Sequence, residues 1–66
     1  MRILIIDDHA LVRGGIAALA RSIRPNVEVV EADNCRGGLE AARLGPWDLV
    51  LLDLNLPDQP GLFALA

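Results

Sequence analysis

The stretch Ile3-Leu4-Ile5-Ile6-Asp7-Asp8 decides the fold class, because an unbroken run of branched apolar residues ends abruptly in two acids. A continuous apolar run without alternation is typical of a short strand covered on both faces, as in a parallel sheet. From Ala10 onward the apolar period becomes helical, and one stripe of an amphipathic helix is formed by Val12, Ile16, Leu19 and Ile23. Pro25 should end this helix, because the residue before a proline is disfavoured in the helical conformation.

A second strand and a second helix follow. The segment Val27–Ala32 alternates only in part, which predicts a strand nearer to the edge of the sheet. Asp33 or Asn34 then offers an N-cap for a second, shorter helix. The apolar stripe of that helix is formed by Cys35, Leu39 and Ala42. We expect Gly45-Pro46 to end it.

A third strand completes an alternating order of elements. The segment Asp48–Asp53 is apolar between its terminal acids, which predicts a strand that is central or covered on both faces. The segment 55–61 is rich in turn residues, and Leu62–Ala66 has the composition to begin a third helix. Short strands that alternate with helices predict right-handed crossovers and a parallel sheet. The sequence therefore predicts one α/β domain over residues 1–66, without an internal boundary.

Length and composition exclude several classes of protein. The chain has 66 residues, is 53% apolar and carries a formal net charge of −3, and all its basic residues are Arg. This content argues against disorder, and the acidic balance argues against a surface for nucleic acid or anionic membranes. One Cys cannot form an intrachain disulfide, and no apolar run is long enough for a signal peptide or a membrane span. We therefore expect a cytoplasmic protein.

Carboxylates are the main reactive groups of this sequence. It has no Lys, Thr or Tyr and a single Ser, which argues against Schiff-base, serine-triad and P-loop chemistry. Asp7 and Asp8 follow the first strand and Asp53 follows the third, and ligands bind beyond such strand ends in parallel sheets. If the two strands are neighbours, the three carboxylates meet and repel one another unless a cation neutralises them. Oxygen donors of this kind favour Mg²⁺.

A simpler interpretation of these acids is also open. Acids at strand ends often cap helices or stay solvated, and Asp8 is placed to cap the helix that begins near Ala10. His9 is interpreted as a residue of the site rim or of the helix start, because no second His or Cys stands at ligand spacing. Cys35 and Trp47 are interpreted as packing residues, and the six basic residues as a solvated surface.

Three segments together resemble the receiver domain of two-component response regulators. They are Ile3–His9, Val27–Ala32 and Asp48–Pro57, followed by Gly61. Their joint spacing comprises an acid pair, an Asp that ends the third strand, a Pro four residues later and a Gly eight residues later. The resemblance covers the whole chain and implies a flavodoxin-like fold with the strand order 2-1-3. His9 and the helix start Leu11–Ile16 are similar to the group whose receivers precede a helix-turn-helix DNA-binding domain.

The resemblance implies a role for each acid. Asp53 would be the phosphoacceptor that attacks the phosphoryl group of a phosphohistidine on a sensor histidine kinase. Mg²⁺ would be held by Asp8, by Asp53 and by the backbone carbonyl of Asn55, with indirect help from Asp7. Phosphorylation would control an output domain, with regulation of transcription through DNA as the implied result.

The chain departs from the family in one important respect. Receivers of this family have five strands, with a Thr or Ser ending the fourth and a Lys ending the fifth, whereas this sequence has neither Lys nor Thr and ends at Ala66. It therefore resembles the N-terminal half of a receiver. This half holds the acceptor and metal part of the site, without the part that binds and responds to the phosphoryl group. Pro60 is a minor change in the loop before Gly61.

Two other functions stay open. An aspartate-nucleophile phosphatase similar to the haloacid-dehalogenase superfamily would use Asp53. That family needs an acid two residues later and a Thr shortly afterwards, where this chain has Asn55 and Pro57. The other alternative is a self-assembling structural half-domain without activity. With the order 2-1-3 the third strand would be an edge strand, and it has no Lys, internal Pro or inward charge to prevent pairing with another chain. We therefore expect a homodimer through this strand.

Overall fold

Strands and helices alternate along the chain in the predicted order. The computed structural model describes residues 1–53 and residue 56. The elements in this range are β1 (Arg2–Ile6), α1 (Ala10–Ile23), β2 (Glu28–Ala32), α2 (Cys35–Ala42) and β3 (Leu49–Leu52). Neither of the two helices has the length and apolarity needed to cross a bilayer. The helix predicted to begin within Leu62–Ala66 lies outside the described residues.

β1 lies at the centre of a parallel sheet with the strand order β2-β1-β3. Ile3 of β1 is opposite Val29 of β2 and Leu49 of β3, and the register continues unbroken to Ile6. This arrangement confirms the predicted α/β fold and the strand order that the resemblance implies. The apolar pattern of β3 favours a covered strand, whereas within the described residues β3 is an edge and Leu49 is 42% exposed.

Alternate residues of β1 face two separate cores. One core is formed by Ile3, Ile5 and Ala17, where Ala17 belongs to α1. The other core is formed by Leu4, Ile6, Cys35 and Leu56, where Cys35 belongs to α2. The two helices therefore cover opposite faces of the sheet and give three layers. This double cover explains why the apolar run of β1 is continuous rather than alternating.

The buried face of α1 differs from the predicted stripe. Three residues of that stripe are exposed, namely Val12, Leu19 and Ile23. Only Ile16 of the stripe packs against the core, and the helix approaches the sheet through the small side chains of Ala17 and Ala20. Because the closest approach uses small residues, the larger ones lie beside it. Leu19 and Ile23 line an apolar groove of about 250 Å³ that also includes Leu49 and Leu51.

Local sequence signals explain where α1 ends and α2 begins. The last residue of α1 is Ile23, and Arg24 has an extended backbone with φ of −133° and ψ of 95°, as expected before Pro25. Asn34, one of the two predicted caps, accepts a hydrogen bond of 2.7 Å from the backbone N–H of Gly37. This bond satisfies one of the amide groups that the first turn of α2 leaves without a helical partner.

The buried face of α2 also differs from the predicted stripe. Cys35 is buried in the core as predicted, but Leu39 and Ala42 are exposed. Gly38 is buried instead, and a Cβ atom built on it would lie only 2.7 Å from Cδ1 of Ile6. The absence of a side chain at this position therefore lets the backbone of α2 lie directly against β1. The helix turns this small residue, rather than its larger apolar ones, toward the sheet.

The segment between α2 and β3 is fastened to the amino-terminal end of the sheet. α2 ends at Ala42, three residues before the predicted stop at Gly45-Pro46. Trp47 packs against the core as predicted, and its indole N–H donates a hydrogen bond of 3.1 Å to the carbonyl of Ala42. The guanidinium of Arg2 lies 4.4 Å from the centre of the Trp47 ring. It also donates hydrogen bonds of 2.9 and 3.2 Å to two backbone carbonyls of this segment.

Candidate functional site

The acids that follow β1 and β3 are held at the carboxyl ends of these two strands, which lie side by side in the sheet. The backbone N–H of Asp7 donates to the carbonyl of Ala32 at 3.0 Å, and that of Asp53 donates to the carbonyl of Ile6 at 2.9 Å. Both acids therefore stand one position beyond the last paired residues, where neighbouring strands are about 4.8 Å apart. The strand order and register are what bring the two carboxylates together.

Three carboxylates and one imidazole converge at this edge. Asp7, Asp8, His9 and Asp53 each offer one ligand atom, and these four atoms all lie within 4.8 Å of one another. The side chains of Asp7 and Asp53 are only 15% and 16% exposed, so the cluster is partly withdrawn from solvent. The predicted convergence of the three carboxylates is confirmed, whereas Asn55 lies outside the described residues.

His9 takes a central place among these carboxylates. Its Nδ1 atom lies 2.9 Å from Oδ1 of Asp7, 3.1 Å from Oδ1 of Asp8 and 3.6 Å from Oδ2 of Asp53. Its backbone N–H donates a further hydrogen bond of 2.8 Å to Oδ1 of Asp7, which stabilises the turn after β1. The His9 side chain is 64% exposed, so the cluster is open to solvent on this side.

The prediction that His9 lies at the site rim and at the start of a helix is correct. It did not include the contacts of the imidazole with the three carboxylates. His9 holds the N-cap position of α1, so the alternative in which Asp8 caps this helix is not what the structure shows. The imidazole contacts the cluster although no second His or Cys stands near it in sequence. Its partners are carboxylates from the ends of two strands, and a search for His and Cys spacing does not find them. The useful signal is a His directly after an acid pair that ends a strand.

Asp7 and His9 shift the pKa of each other in opposite directions. Hydrogen bonds from the backbone N–H and then from the imidazole of His9 hold the pKa of the Asp7 carboxyl below its ordinary value of 3.8. The hydrogen bond to Asp7, followed by the negative charge of Asp8, raises the pKa of the His9 imidazole above its ordinary value of 6.5. Both shifts favour the charged forms, because each charge stabilises the other.

Arg13 braces the turn that carries the acid pair. Its Nη1 donates a hydrogen bond of 2.7 Å to the backbone carbonyl of Asp7, and its Nε donates one of 3.0 Å to Oε1 of Glu31. One side chain of α1 thus connects the end of β1 with β2. The interpretation of the basic residues as a solvated surface is wrong for Arg13, and also for Arg2, whose guanidinium packs on Trp47. The signal for Arg13 is Glu31, an acidic residue inside β2, a strand that α1 packs against.

The cluster has the donor chemistry of a divalent-cation site. Carboxylate oxygens are hard ligands, and sites rich in them suit Mg²⁺, Mn²⁺ and Ca²⁺. Three like charges so close together also need a compensating positive charge, which a single imidazole supplies only in part. The residues at this edge of the sheet therefore fit a divalent cation.

Comparison with known families agrees with this geometry. The family model described as "Response regulator receiver domain" matches residues 3–66. The chain belongs to the receiver domain family. The resemblance seen in the acid pair, the strand-end Asp and the Pro and Gly that follow is thereby confirmed.

Two curated relatives of this receiver domain carry regulatory names. It is 47% identical over 64 residues to the nitrate/nitrite response regulator protein NarL of Escherichia coli (strain K12). The aligned region covers 96% of this chain and 29% of NarL. The domain is 39% identical over 62 residues to the transcriptional regulatory protein LytR of Staphylococcus aureus (strain N315). The aligned region covers 94% of this chain and 25% of LytR. The chain thus spans less than a third of the length of these relatives. No solved structure matches it.

Proposed function

We propose that this receiver domain is the phosphoacceptor module of a two-component signalling system, with Asp53 as the acceptor. The observation that supports the proposal is the convergence of Asp7, Asp8 and Asp53 at one sheet edge, in a chain of the receiver family. Among the three acids, the family resemblance assigns the acceptor role to Asp53, the acid that follows β3. Its backbone is anchored to β1, and its side chain stays partly accessible.

A carboxylate is a competent nucleophile for this transfer. An oxygen of Asp53 attacks the phosphorus of a phosphohistidine on a sensor histidine kinase, and the new P–O bond forms as the P–N bond breaks. The kinase histidine leaves, and an acyl phosphate remains on Asp53. The hydrogen bond from the Asp53 N–H to the carbonyl of Ile6 holds the nucleophile in place, which lowers the entropic cost of the attack. The domain accepts one group and acts as a signalling module rather than as an enzyme.

We assign the Mg²⁺ site to Asp8 and Asp53, with the backbone carbonyl of Asn55 as a further ligand. When bound, Mg²⁺ neutralises charge on the phosphoryl oxygens. Asp7 already accepts two hydrogen bonds from His9, of 2.8 and 2.9 Å, which supports an indirect role for its carboxylate. The assignment of Asn55 rests on the family resemblance alone.

The names of the relatives indicate the wider role. NarL is called a response regulator and LytR a transcriptional regulatory protein. We infer that phosphorylation of this domain controls an output domain of the helix-turn-helix type that binds DNA in the cytoplasm, while the receiver itself binds neither nucleic acid nor membrane. Among the described strands, the outer side of β3 pairs with no other strand, and we propose that a second copy pairs with it there.

Phosphoryl incorporation tests the proposed acceptor. The chain is incubated with acetyl phosphate, with and without Mg²⁺, and its intact mass and modified peptide are measured. We expect a slow, Mg²⁺-dependent adduct on Asp53. It should be slow because the chain has no Lys or Thr to bind the phosphoryl group in the way the family implies. The adduct should be absent from Asp53→Asn.

Asp33→Asn provides the matched control. Asp33 is an exposed aspartate that follows β2, so it stands at the same edge of the sheet as the cluster. This variant should form the same adduct as the unaltered chain. An adduct on another residue, or an adduct that persists in Asp53→Asn, would contradict the assignment of Asp53.

A further inference from the structure

The position of the His9 imidazole matches that of a ligand in an octahedral metal site. Ligand atoms about 2.1 Å from a cation are about 3.0 Å from their neighbours and about 4.2 Å from the atom opposite. The Nδ1 atom of His9 lies 2.9, 3.1 and 3.6 Å from the oxygens of Asp7, Asp8 and Asp53, respectively. The separations from Asp7 and Asp8 are close to that of neighbouring ligands around one cation, and the separation from Asp53 lies between the values for neighbouring and opposite ligands.

We propose that His9 supplies its Nδ1 atom as an additional ligand at the metal site of this receiver and shifts the preference of that site from Mg²⁺ toward Mn²⁺ and Co²⁺. The inference rests on the proposed metal site. On binding, the cation takes the place of the proton through which Nδ1 hydrogen-bonds Asp7, and this proton is released to solvent. Mg²⁺ favours oxygen ligands and keeps several of its waters, whereas later divalent metals gain more from an imidazole nitrogen. One residue next to the acid pair thus determines which cation the carboxylates hold.

The fold positions this imidazole through its backbone. The backbone N–H of His9 donates to Oδ1 of Asp7 at 2.8 Å, and its carbonyl accepts a hydrogen bond of 2.9 Å from the backbone N–H of Arg13. Both bonds are made at the junction between β1 and α1, so the main chain on either side of the ring is held. A ligand fixed in this way binds a cation at a smaller cost in conformational entropy than a free surface side chain.

A second role of His9 is compatible with the same distances and makes a different prediction. In that role the imidazole only hydrogen-bonds the carboxylates and leaves when a cation binds. Removing it would then strengthen the binding of every divalent cation by a similar factor, because one competitor is lost. Removing a ligand instead weakens Co²⁺ more than Mg²⁺. The ratio of the two dissociation constants therefore separates the roles.

Metal titration of the full chain measures this ratio. The Kd values of Mg²⁺ and Co²⁺ are determined by calorimetry for the unaltered chain, for His9→Ala and for His9→Gln. We expect the preference for Co²⁺ over Mg²⁺ to fall about tenfold in both variants. The visible absorption bands of bound Co²⁺ should also move to longer wavelength, because an oxygen replaces a nitrogen of stronger ligand field. Gln keeps an oxygen donor at this position, so it should preserve the affinity for Mg²⁺ better than Ala does.

Asp8→Asn is the control for the site as a whole, because it replaces a carboxylate and should weaken both cations. His9 is exposed, so its variants should keep the circular dichroism spectrum of the unaltered chain. An unchanged ratio and unchanged Co²⁺ bands in His9→Gln, together with a Mg²⁺-dependent adduct on Asp53, would overturn this inference and leave the proposed function intact. Failure of the unaltered chain to bind either cation and to form the adduct would overturn the proposed function itself.

Discussion

The contact between His9 and Asp7 has a measurable effect on proton binding. The pKa of the His9 imidazole lies above 6.5, chiefly because of the hydrogen bond to the Asp7 carboxylate. In Asp7→Asn that carboxylate charge is absent, and the pKa of His9 should fall toward 6.5. An NMR titration of the imidazole ring measures the change. Asp48→Asn is the control, because Asp48 lies at the opposite end of β3, and an equal fall in this variant would contradict the prediction.

The same two residues give the stability of the chain a dependence on pH with a definite sign. His9 binds its proton more tightly when folded, so its contribution is fully present below pH 6.5 and is lost as the pH rises through the folded pKa. Asp7 has a lowered pKa, so its contribution is present above pH 3.8 and is lost as the pH falls through the folded pKa. Denaturant unfolding of the unaltered chain and of His9→Gln, on both sides of the His9 pKa, checks the first of these. The variant should lack that loss at higher pH.

The sequence was sufficient to locate the carboxylates of the site but not the contacts of His9 and Arg13 around them. Asp7, Asp8 and Asp53 could be found because parallel strands end at the same edge of a sheet. The contacts of His9 depend on the turn geometry after β1 and on a side-chain rotamer, neither of which residue spacing describes. Arg13 was missed for a related reason, since its partner Glu31 is 18 residues away and only the packing of α1 on the sheet brings the two together.

The close contact between α2 and β1 makes Gly38 a sensitive position. A Cβ atom there would lie 2.7 Å from Ile6, so Gly38→Ala must displace either the Ile6 side chain or the helix. We expect the free energy of unfolding to fall by about 1–3 kcal/mol. Gly14→Ala is the matched control, because a Cβ atom at that helical position meets nothing within 4 Å. It should stabilise the chain by up to about 1 kcal/mol, and urea unfolding that shows the same sign for both variants would refute the argument.

Arg13 connects three elements, and its loss should affect both stability and the site. Arg13→Gln removes the ion pair with Glu31 and the hydrogen bond to the Asp7 carbonyl, which are partly exposed. We expect a loss of about 1 kcal/mol in the free energy of unfolding and a shift of the Asp7 amide resonance. Arg21→Gln on the exposed part of the same helix should change stability by no more than about 0.5 kcal/mol. Equal effects of the two variants would show that Arg13 does not brace the turn.

The helix faces could be predicted only in part. The apolar period indicated the correct helices, and Pro25 and Gly45-Pro46 indicated their approximate ends, because these signals depend on local sequence. Which apolar residues touch the sheet depends instead on how closely a helix approaches it. Ala17 in α1 and Gly38 in α2 allow the closest approach and become buried, while Leu19 and Leu39 are left at the margins. A hydrophobic pattern ranks side chains by apolarity and contains no information about this distance.

Among the described residues, one apolar surface is not covered by any helix or strand. It consists of the groove between α1 and the sheet, together with the outer edge of β3, which pairs with no other described strand than β1. Leu49 and Val50 of this edge are exposed. Unpaired backbone groups beside exposed apolar side chains favour association with another strand.

We therefore expect the 66-residue chain to form a homodimer through antiparallel pairing of two β3 strands about a two-fold axis. Val50→Lys places a charge on this edge and should give a monomer, because pairing would bring two ammonium groups close together. Ala18→Lys, on the exposed part of α1, should leave the dimer intact. Light scattering coupled to size exclusion gives the mass of each variant. A cooperatively folded monomer of the unaltered chain at micromolar concentration would contradict the expectation.

Trp47 is positioned so that its fluorescence reports unfolding of the chain. It is the only Trp in a chain without Tyr, so ultraviolet emission comes from one indole, which is covered by the Arg2 guanidinium at the base of the sheet. β3 lies between Trp47 and Asp53 in the chain, and its four residues span about 13 Å. Emission should therefore change when the chain unfolds and remain nearly constant when a cation or a phosphoryl group arrives at the far end. Thermal unfolding followed by the emission of Trp47 should therefore give the shift in melting temperature that either ligand produces. Binding itself should not change the signal of the folded chain.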